Sequence, residues 1–177
     1  MFLLTNKKII DYMEEGLLDI ENFKQELLSH TYYNFRLGNL YRLWDSEKED
    51  WQINELDGGK NNILFIPPGG YALIKSYERF YCSKKVMAIF GQKSNLQQMG
   101  LSLNHSPSID PGFRGYLELG LVNYLSKPVE ICVGEIIGKA LFFDVSDTYP
   151  VGPINPLDEA NYLRRQKLED GPIQSNK

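Results

Sequence analysis

The sequence predicts a mainly β fold, a sandwich or a barrel of many short strands behind a short helical N-terminus. Two observations carry this. From Tyr32 onward, short apolar or alternating runs (YYNFRLG, NILFIPPGGYALI, KVMAIFG, GYLELGLVN, PVEICVGEIIGKALFFDV) are broken by Gly, Pro, Asn and Asp, the punctuation of strands joined by turns. Within two of these runs apolar residues recur at every second position. Val129, Ile131 and Val133 alternate with Glu130 and Cys132, and Leu117, Leu119 and Leu121 alternate with Tyr116, Glu118, Gly120 and Val122, the pattern of a strand with one buried face.

Taken in order, residues 5 to 16 read as a helix. Thr5 or Asn6 caps it, Ile9, Ile10, Met13 and Leu17 fall near helical spacing, and Gly16 ends it. A second helical turn or two covers residues 20 to 29, and the strands follow. In the run from Tyr116 to Val122 the leucines claim the core, so Glu118 and Gly120 share the opposite face. After Phe143 the pattern dissolves into SDTYPVGPINPLDE and a polar tail containing Tyr162, Arg164, Arg165, Gln166 and Lys167; polar tails are commonly disordered. We therefore divide the chain into one domain, residues 1–160, and a C-terminal arm, residues 161–177.

A chain of 177 residues that is 42% hydrophobic has enough material for one real core. Its net charge of -4 leaves no basic surface of the kind that binds nucleic acid, so an anionic ligand must be held by a local cluster of donors. The two cysteines, Cys82 and Cys132, make neither a disulfide framework nor a zinc knuckle and read as buried thiols. The opening MFLLTNKKII is too short an apolar run for a signal peptide, and no stretch approaches a membrane span; a cytoplasmic location and no membrane partner are the expectation.

No G-x-S-x-G elbow, Walker loop, G-x-G-x-x-G turn or zinc-deaminase H-x-E with P-C-x-x-C occurs. Three segments remain. In GQKSNLQQMGL, Lys93, Ser94 and Asn95 follow an apolar strand, where ammonium, hydroxyl and backbone N–H groups can surround a phosphate; a plain polar turn is the other reading. In IDPGFRG, Asp110 precedes Pro111 and Gly112 beside Phe113, either as a turn former or as a ligand-site acid. In the tail, Tyr162, Arg165, Gln166 and Lys167 can fold over an anion. His30 and His105 have no partner at motif spacing and read as structural.

As a set, these segments resemble the dCTP deaminase branch of the dCTP deaminase and dUTPase superfamily. YYNFRLGNLYRLW resembles the family's S-Y-D-L-R-L-G-N strand and IPPGGYALIKSYERF its H-P-G-x-F-x-L-x-x-T-x-E stretch. KSNLQQMGL falls on R-S-S-L-A-R-L-G-L, IDPGFRG on I-D-P-G-W/F-x-G, VGEIIGKALFF on P-G-x-x-I-G-Q-L-x-F, and NYLRRQ with GPIQS on K-Y-x-x-Q and G-P-x-x-S. The resemblance implies a homotrimer of distorted β-barrels (dUTPase-like, or β-clip), with active sites between subunits and the arm closing over a deoxypyrimidine nucleoside triphosphate, dCTP or dUTP, that carries Mg²⁺. By position it assigns Lys93, Ser94 and Asn95 to phosphates or the reacting centre, Gln98 to the place of an Arg that assists at the base, Asp110 and Phe113 to the sugar, and Tyr162, Gln166 and Lys167 to the triphosphate.

The chain departs from the pattern at the chemistry. The family's proton-shuttling Glu falls on Gly120, its second Arg of R-S-S-x-x-R on Gln98, and the Asp of S-Y-D on Asn34. A general acid/base group contributes roughly 10²- to 10⁴-fold. Two rescues are open. A bulge at Gly120 would swing Glu118 into the site, Glu118 otherwise being a solvated strand residue; or Asp110 would direct water onto the α-phosphorus, as in the sister dUTPases, whose Gly-rich C-terminal motif is missing here. The candidate catalytic set is therefore Ser94, Asp110 and Glu118, and the activities to separate are dCTP deamination, dUTP hydrolysis, and nucleotide binding without chemistry.

Overall fold

The computed structural model describes residues 1–45, 47–56 and 62–147. The expected arm, with Tyr162, Gln166 and Lys167, lies outside the described residues. Strand β1 (Phe2–Leu3) leads into helix α1 (Asn6–Glu14), then β2 (Leu18–Glu21), β3 (Tyr33–Asp45), β4 (Asp50–Glu55), β5 (Ile63–Ile66), β6 (Tyr71–Cys82) and β7 (Val86–Gln92). Helix α2 (Ser94–Gln98) and strands β8 (Leu101–Asn104), β9 (Ser108–Ile109), β10 (Arg114–Asn123), β11 (Val129–Cys132) and β12 (Ile136–Asp144) complete the order.

Thr5 caps α1 by accepting from Lys8 N–H, and the helix buries Ile9 and Tyr12. The helical expectation for residues 20 to 29 is corrected. Leu18–Glu21 is a strand paired with β6, and only Gln25–Leu27 makes a 3₁₀ turn. Leu18 and Ile20 are buried while Asp19 and Glu21 are exposed, an alternation too short for periodicity to separate from a helical face.

Ten strands form one sheet in the order β8-β10-β6-β3-β12-β7-β9, with β1 on β12, β2 on β6 and β4 on β3; β5 and β11 form a separate ribbon. The sheet curls around a core that includes Tyr33, Phe35, Phe80, Phe90 and Phe142, the mainly β distorted barrel expected. Leu117, Leu119 and Leu121 all enter this core, at 4%, 1% and 0% exposure. Cys82 is buried as expected, whereas Cys132 is only half-buried.

The sheet is interrupted where β6 carries extra residues. Glu118 pairs with Lys75 and Tyr116 with Arg79, so Ser76, Tyr77 and Glu78 stand opposite Leu117 alone. Ser76 Oγ accepts from Leu117 N–H at 2.9 Å, which satisfies the displaced backbone donor. The irregularity turns Glu78 inward, where its fully buried carboxylate accepts from Arg36 N–H at 2.8 Å and from Arg36 Nε at 2.6 Å.

Candidate functional site

The alternating strand β7 delivers Lys93 to the first position before α2, and Leu96 anchors that helical turn in the core. Lys93 N–H donates to Ile137 O at 2.9 Å, tying the segment to β12. Asn95 Nδ2 donates to Ile136 O at 3.3 Å, and its amide oxygen is buried with no hydrogen-bond partner among the described residues. Ser94 and Gln98 are exposed. The Lys93 ammonium stands 5.7 Å from the centre of the Tyr32 ring, and Lys139 approaches the same ring to 5.4 Å. A hydrogen bond from Ser29, and then the charges of Lys93 and Lys139, hold the Tyr32 phenol below its ordinary pKa. Asn34, on β3, donates to Leu27 O at 3.0 Å and likewise keeps a buried amide oxygen without a donor.

Asp110 occupies the turn between β9 and β10. Phe113 N–H donates to Asp110 O at 3.1 Å, and Gly112 has φ +87, as a turn with Pro and Gly at its centre requires. The main chain fixes this turn from below, because Gly112 N–H donates to Ser83 O at 3.2 Å and Phe113 O accepts from Cys82 N–H at 2.9 Å. Asp110 projects into solvent with Ser108 Oγ donating to it at 3.2 Å. Phe113 packs against the core.

Glu118 is half-exposed and lies 3.4 Å from Arg42 and 3.9 Å from Lys75. The irregularity proposed to re-aim it is present, but it belongs to β6 opposite Leu117. Gly120 itself pairs in regular register with Leu73 on one side and Asn104 on the other. A Cβ built on Gly120 would stand 2.2 Å from Tyr71 Oη and 2.7 Å from Tyr71 Cζ. The phenol of Tyr71 thus covers the position where a side chain would leave the strand. Its ring is backed by Trp51 at 5.9 Å, and Trp51 packs edge-on to Trp44 at 5.4 Å.

One protomer does not gather these residues into a single pocket. Ser108 is the β9 partner of Ile89, and Lys93 lies four residues further along, about 13 Å at roughly 3.3 Å per residue. Glu118 and Gly120 stand on a third surface, shared by β3, β6 and β10. A groove of about 180 Å³ elsewhere is lined by Asp19, Glu21, Arg79, Phe80, Tyr81 and Arg114, none of them a predicted site residue. Among the described residues no group of His, Cys, Asp or Glu could hold a metal ion. His105 packs on Phe90 at 4.6 Å, in keeping with a structural role. Sequence reasoning missed Tyr71 and Lys139. The one available signal was an aromatic at the start of β6 facing a glycine, which has no meaning until the strand pairing is known.

Residues 3–145 match the family model described as dCTP deaminase-like. This chain belongs to that family. Among curated proteins, it is 29% identical over 185 residues to a dCTP deaminase, dUMP-forming, of Leifsonia xyli, covering 98% of this chain and 89% of that protein. It is 24% identical over 184 residues to a protein of the same name from Methanospirillum hungatei, covering 99% and 98%. Among solved structures, the deoxycytidine triphosphate deaminase of Agrobacterium tumefaciens superimposes with a TM-score of 0.64 at 14% identity, over 79% of this chain and 46% of that one. A mutant dUTPase of phage phi11 of Staphylococcus aureus gives a TM-score of 0.50 at 11% identity, over 78% and 96%. These likenesses establish the dUTPase-like fold. The structure of this chain sets the I-D-P-G turn and the K-S-N segment apart from Gly120, against which the Tyr71 phenol packs.

Proposed function

We propose that this chain binds dCTP or dUTP between protomers of a homotrimer and does not deaminate dCTP by its family's proton relay. The observation that carries the second half is the Tyr71 phenol seated over Gly120: no acid stands there, and the space is filled. Glu118 is occupied with Arg42 and Lys75 rather than released toward Gly120. Binding is supported by membership of the dCTP deaminase-like family and by the presence of both the Lys93–Asn95 and Asp110–Phe113 segments. In this reading Lys93, Ser94 and Asn95 meet the phosphates or the reacting centre, Gln98 lies at the base, Asp110 and Phe113 meet the deoxyribose, and Tyr162, Gln166 and Lys167 close over the triphosphate. Mg²⁺ arrives on the phosphate oxygens and offsets their charge. Among the described residues no group of His, Cys, Asp or Glu is arranged to hold the ion, so in this reading it is carried by the nucleotide.

A second reading is dUTP hydrolysis, favoured by Asp110 being exposed on a rigid turn with a single hydroxyl donor. One experiment decides between them. Purified protein is incubated with each deoxynucleoside triphosphate and Mg²⁺, the products are separated, and binding is measured by calorimetry. Binding of dCTP or dUTP with no ammonia released is the expected result. Pyrophosphate release from dUTP that disappears in Asp110→Asn would establish the second reading. Deamination of dCTP that disappears in Glu118→Gln would overturn the proposal and make Glu118 the working acid.

A further inference from the structure

Strands β7 and β12 carry unbroken apolar runs, VMAIF and ALFF. A strand with one solvated face alternates, whereas a continuous run marks a strand covered on both faces. The inner faces are accounted for, because Ala88, Phe90, Ala140 and Phe142 lie in the core. The opposite face is apolar as well. Leu3, Phe143 and Met87 oppose one another across β1, β12 and β7, and Leu141 opposes Ile89 in the next row, about 7 Å along the strands. Leu3 is 37% and Ile89 46% exposed, and the other three are half-buried.

The chain beyond Asp147 supplies an occupant. It is led out at the rim of this face, where both carboxylate oxygens of Asp147 accept from the Met1 ammonium at 2.8 Å and Val145 N–H donates to Lys85 O at 2.8 Å. The sequence that follows, residues 148–157, is TYPVGPINPL. Pro150, Pro153 and Pro156 recur at every third position, and so do Val151, Ile154 and Leu157. Three is the period of the polyproline II helix, which gathers the prolines along one edge and the three aliphatic residues along another. Such a strip makes no internal hydrogen bonds and needs no partner strand, so it can lie across a sheet by side-chain contact alone. At about 3.1 Å per residue the aliphatic edge is about 19 Å long, enough to cross both apolar rows. Val151 is four residues beyond Asp147, at most about 14 Å, within reach of the face of its own chain.

We infer that residues 149–157 lie across the outer face of β1, β12 and β7 of their own chain, with Val151, Ile154 and Leu157 turned toward Leu3, Met87, Ile89, Leu141 and Phe143. Neither the five side chains of the face nor the aliphatic edge of the strip carries a charge, whereas the sequence from Asp158 onward turns polar. The inference stands apart from nucleotide binding, and it sets where the arm of residues 161–177 begins.

The test is disulfide trapping in the whole chain on a Cys132→Ser background, combining Ile89→Cys with Ile154→Cys. Under mild oxidation this pair is expected to close within one chain, seen as a faster-migrating monomer band on a non-reducing gel. Ile53→Cys with Ile154→Cys, whose first member is exposed on β4, should stay open. No closure, or equal closure in both pairs, overturns the inference. A link between two chains also overturns it and gives the face to a neighbouring copy. Should the Ile89 variant fail to fold in a thermal melt, the single change Ile154→Asp, outside the described fold, decides. The dye anilinonaphthalene sulfonate, which reports exposed apolar surface, is expected to brighten severalfold on that variant as the face is uncovered. Unchanged dye fluorescence overturns the inference.

Discussion

Replacing Gly120 by alanine tests whether Tyr71 truly fills the space above it. The new methyl carbon would lie 2.2 Å from Tyr71 Oη, 2.7 Å from Cζ and 2.8 Å from Cε2. Ordinary carbon contacts begin near 3.5 Å, so the phenol must retreat by about 1 Å. The ring also contacts Trp51, which packs on Trp44, so its movement disturbs that aromatic cluster. Forcing a methyl into a packed contact costs about 1–3 kcal/mol, while exchanging glycine for alanine within a strand returns about 0.5–1 kcal/mol. The net expectation is a loss of up to about 2.5 kcal/mol in urea unfolding at unchanged m-value. In a Tyr71→Ala background the clash is absent, so the same change should be neutral or slightly stabilising. The pair should therefore be coupled by about 1–3 kcal/mol, as touching residues are. An equal effect of Gly120→Ala in both backgrounds would refute the argument. The functional corollary is that Gly120→Glu supplies an acid only if the Tyr71 ring moves aside.

Two further predictions concern groups buried in the frame. Glu78→Gln leaves the Arg36 guanidinium, itself almost wholly buried, without its charge partner, and should cost about 3–5 kcal/mol in urea unfolding; a loss below about 1 kcal/mol would show that the pair contributes little. At alkaline pH, a hydrogen bond to Asp144 and then burial push Tyr12 up to about 12. Burial pushes both Tyr33 and Cys82 up to about 12. Their protonated forms are favoured in the folded state, so this stability is complete below their unfolded values, near 10 for Tyr and 8.5 for Cys, and is lost as pH rises toward 12. Circular dichroism melts should fall across that interval as phenolate absorbance rises, and a flat profile to pH 12 would contradict the assignment.

Much of the frame was legible in the sequence because local patterning and tertiary burial agree there. The leucines of β10 alternate, and all three are buried; Thr5 caps the helix expected of it. The exceptions share a cause. Residues 18 to 21 carry too few positions to reveal a period, and β6 supplies the pairing that makes them a strand. The polar strand β4 is defined by its pairing with Leu40–Asp45 rather than by an apolar face of its own. Glu78 is turned inward by the extra residues of β6, an irregularity that strand alternation does not announce. The site divides along the same line: Lys93–Asn95 and Asp110–Phe113 are contiguous motifs and can be quoted, whereas Tyr71 over Gly120 and Lys139 beside Tyr32 depend on register between distant strands.

The corner that holds Asp110 is fastened by main-chain hydrogen bonds among Ser83, Cys82, Asp110, Gly112 and Phe113. Its carboxyl group takes a hydrogen bond from Ser108 Oγ and otherwise faces solvent. Swapping that one side chain should leave the corner's shape intact, so any activity lost there can be charged to chemistry alone. Few positions in this fold give an experimenter so direct a readout.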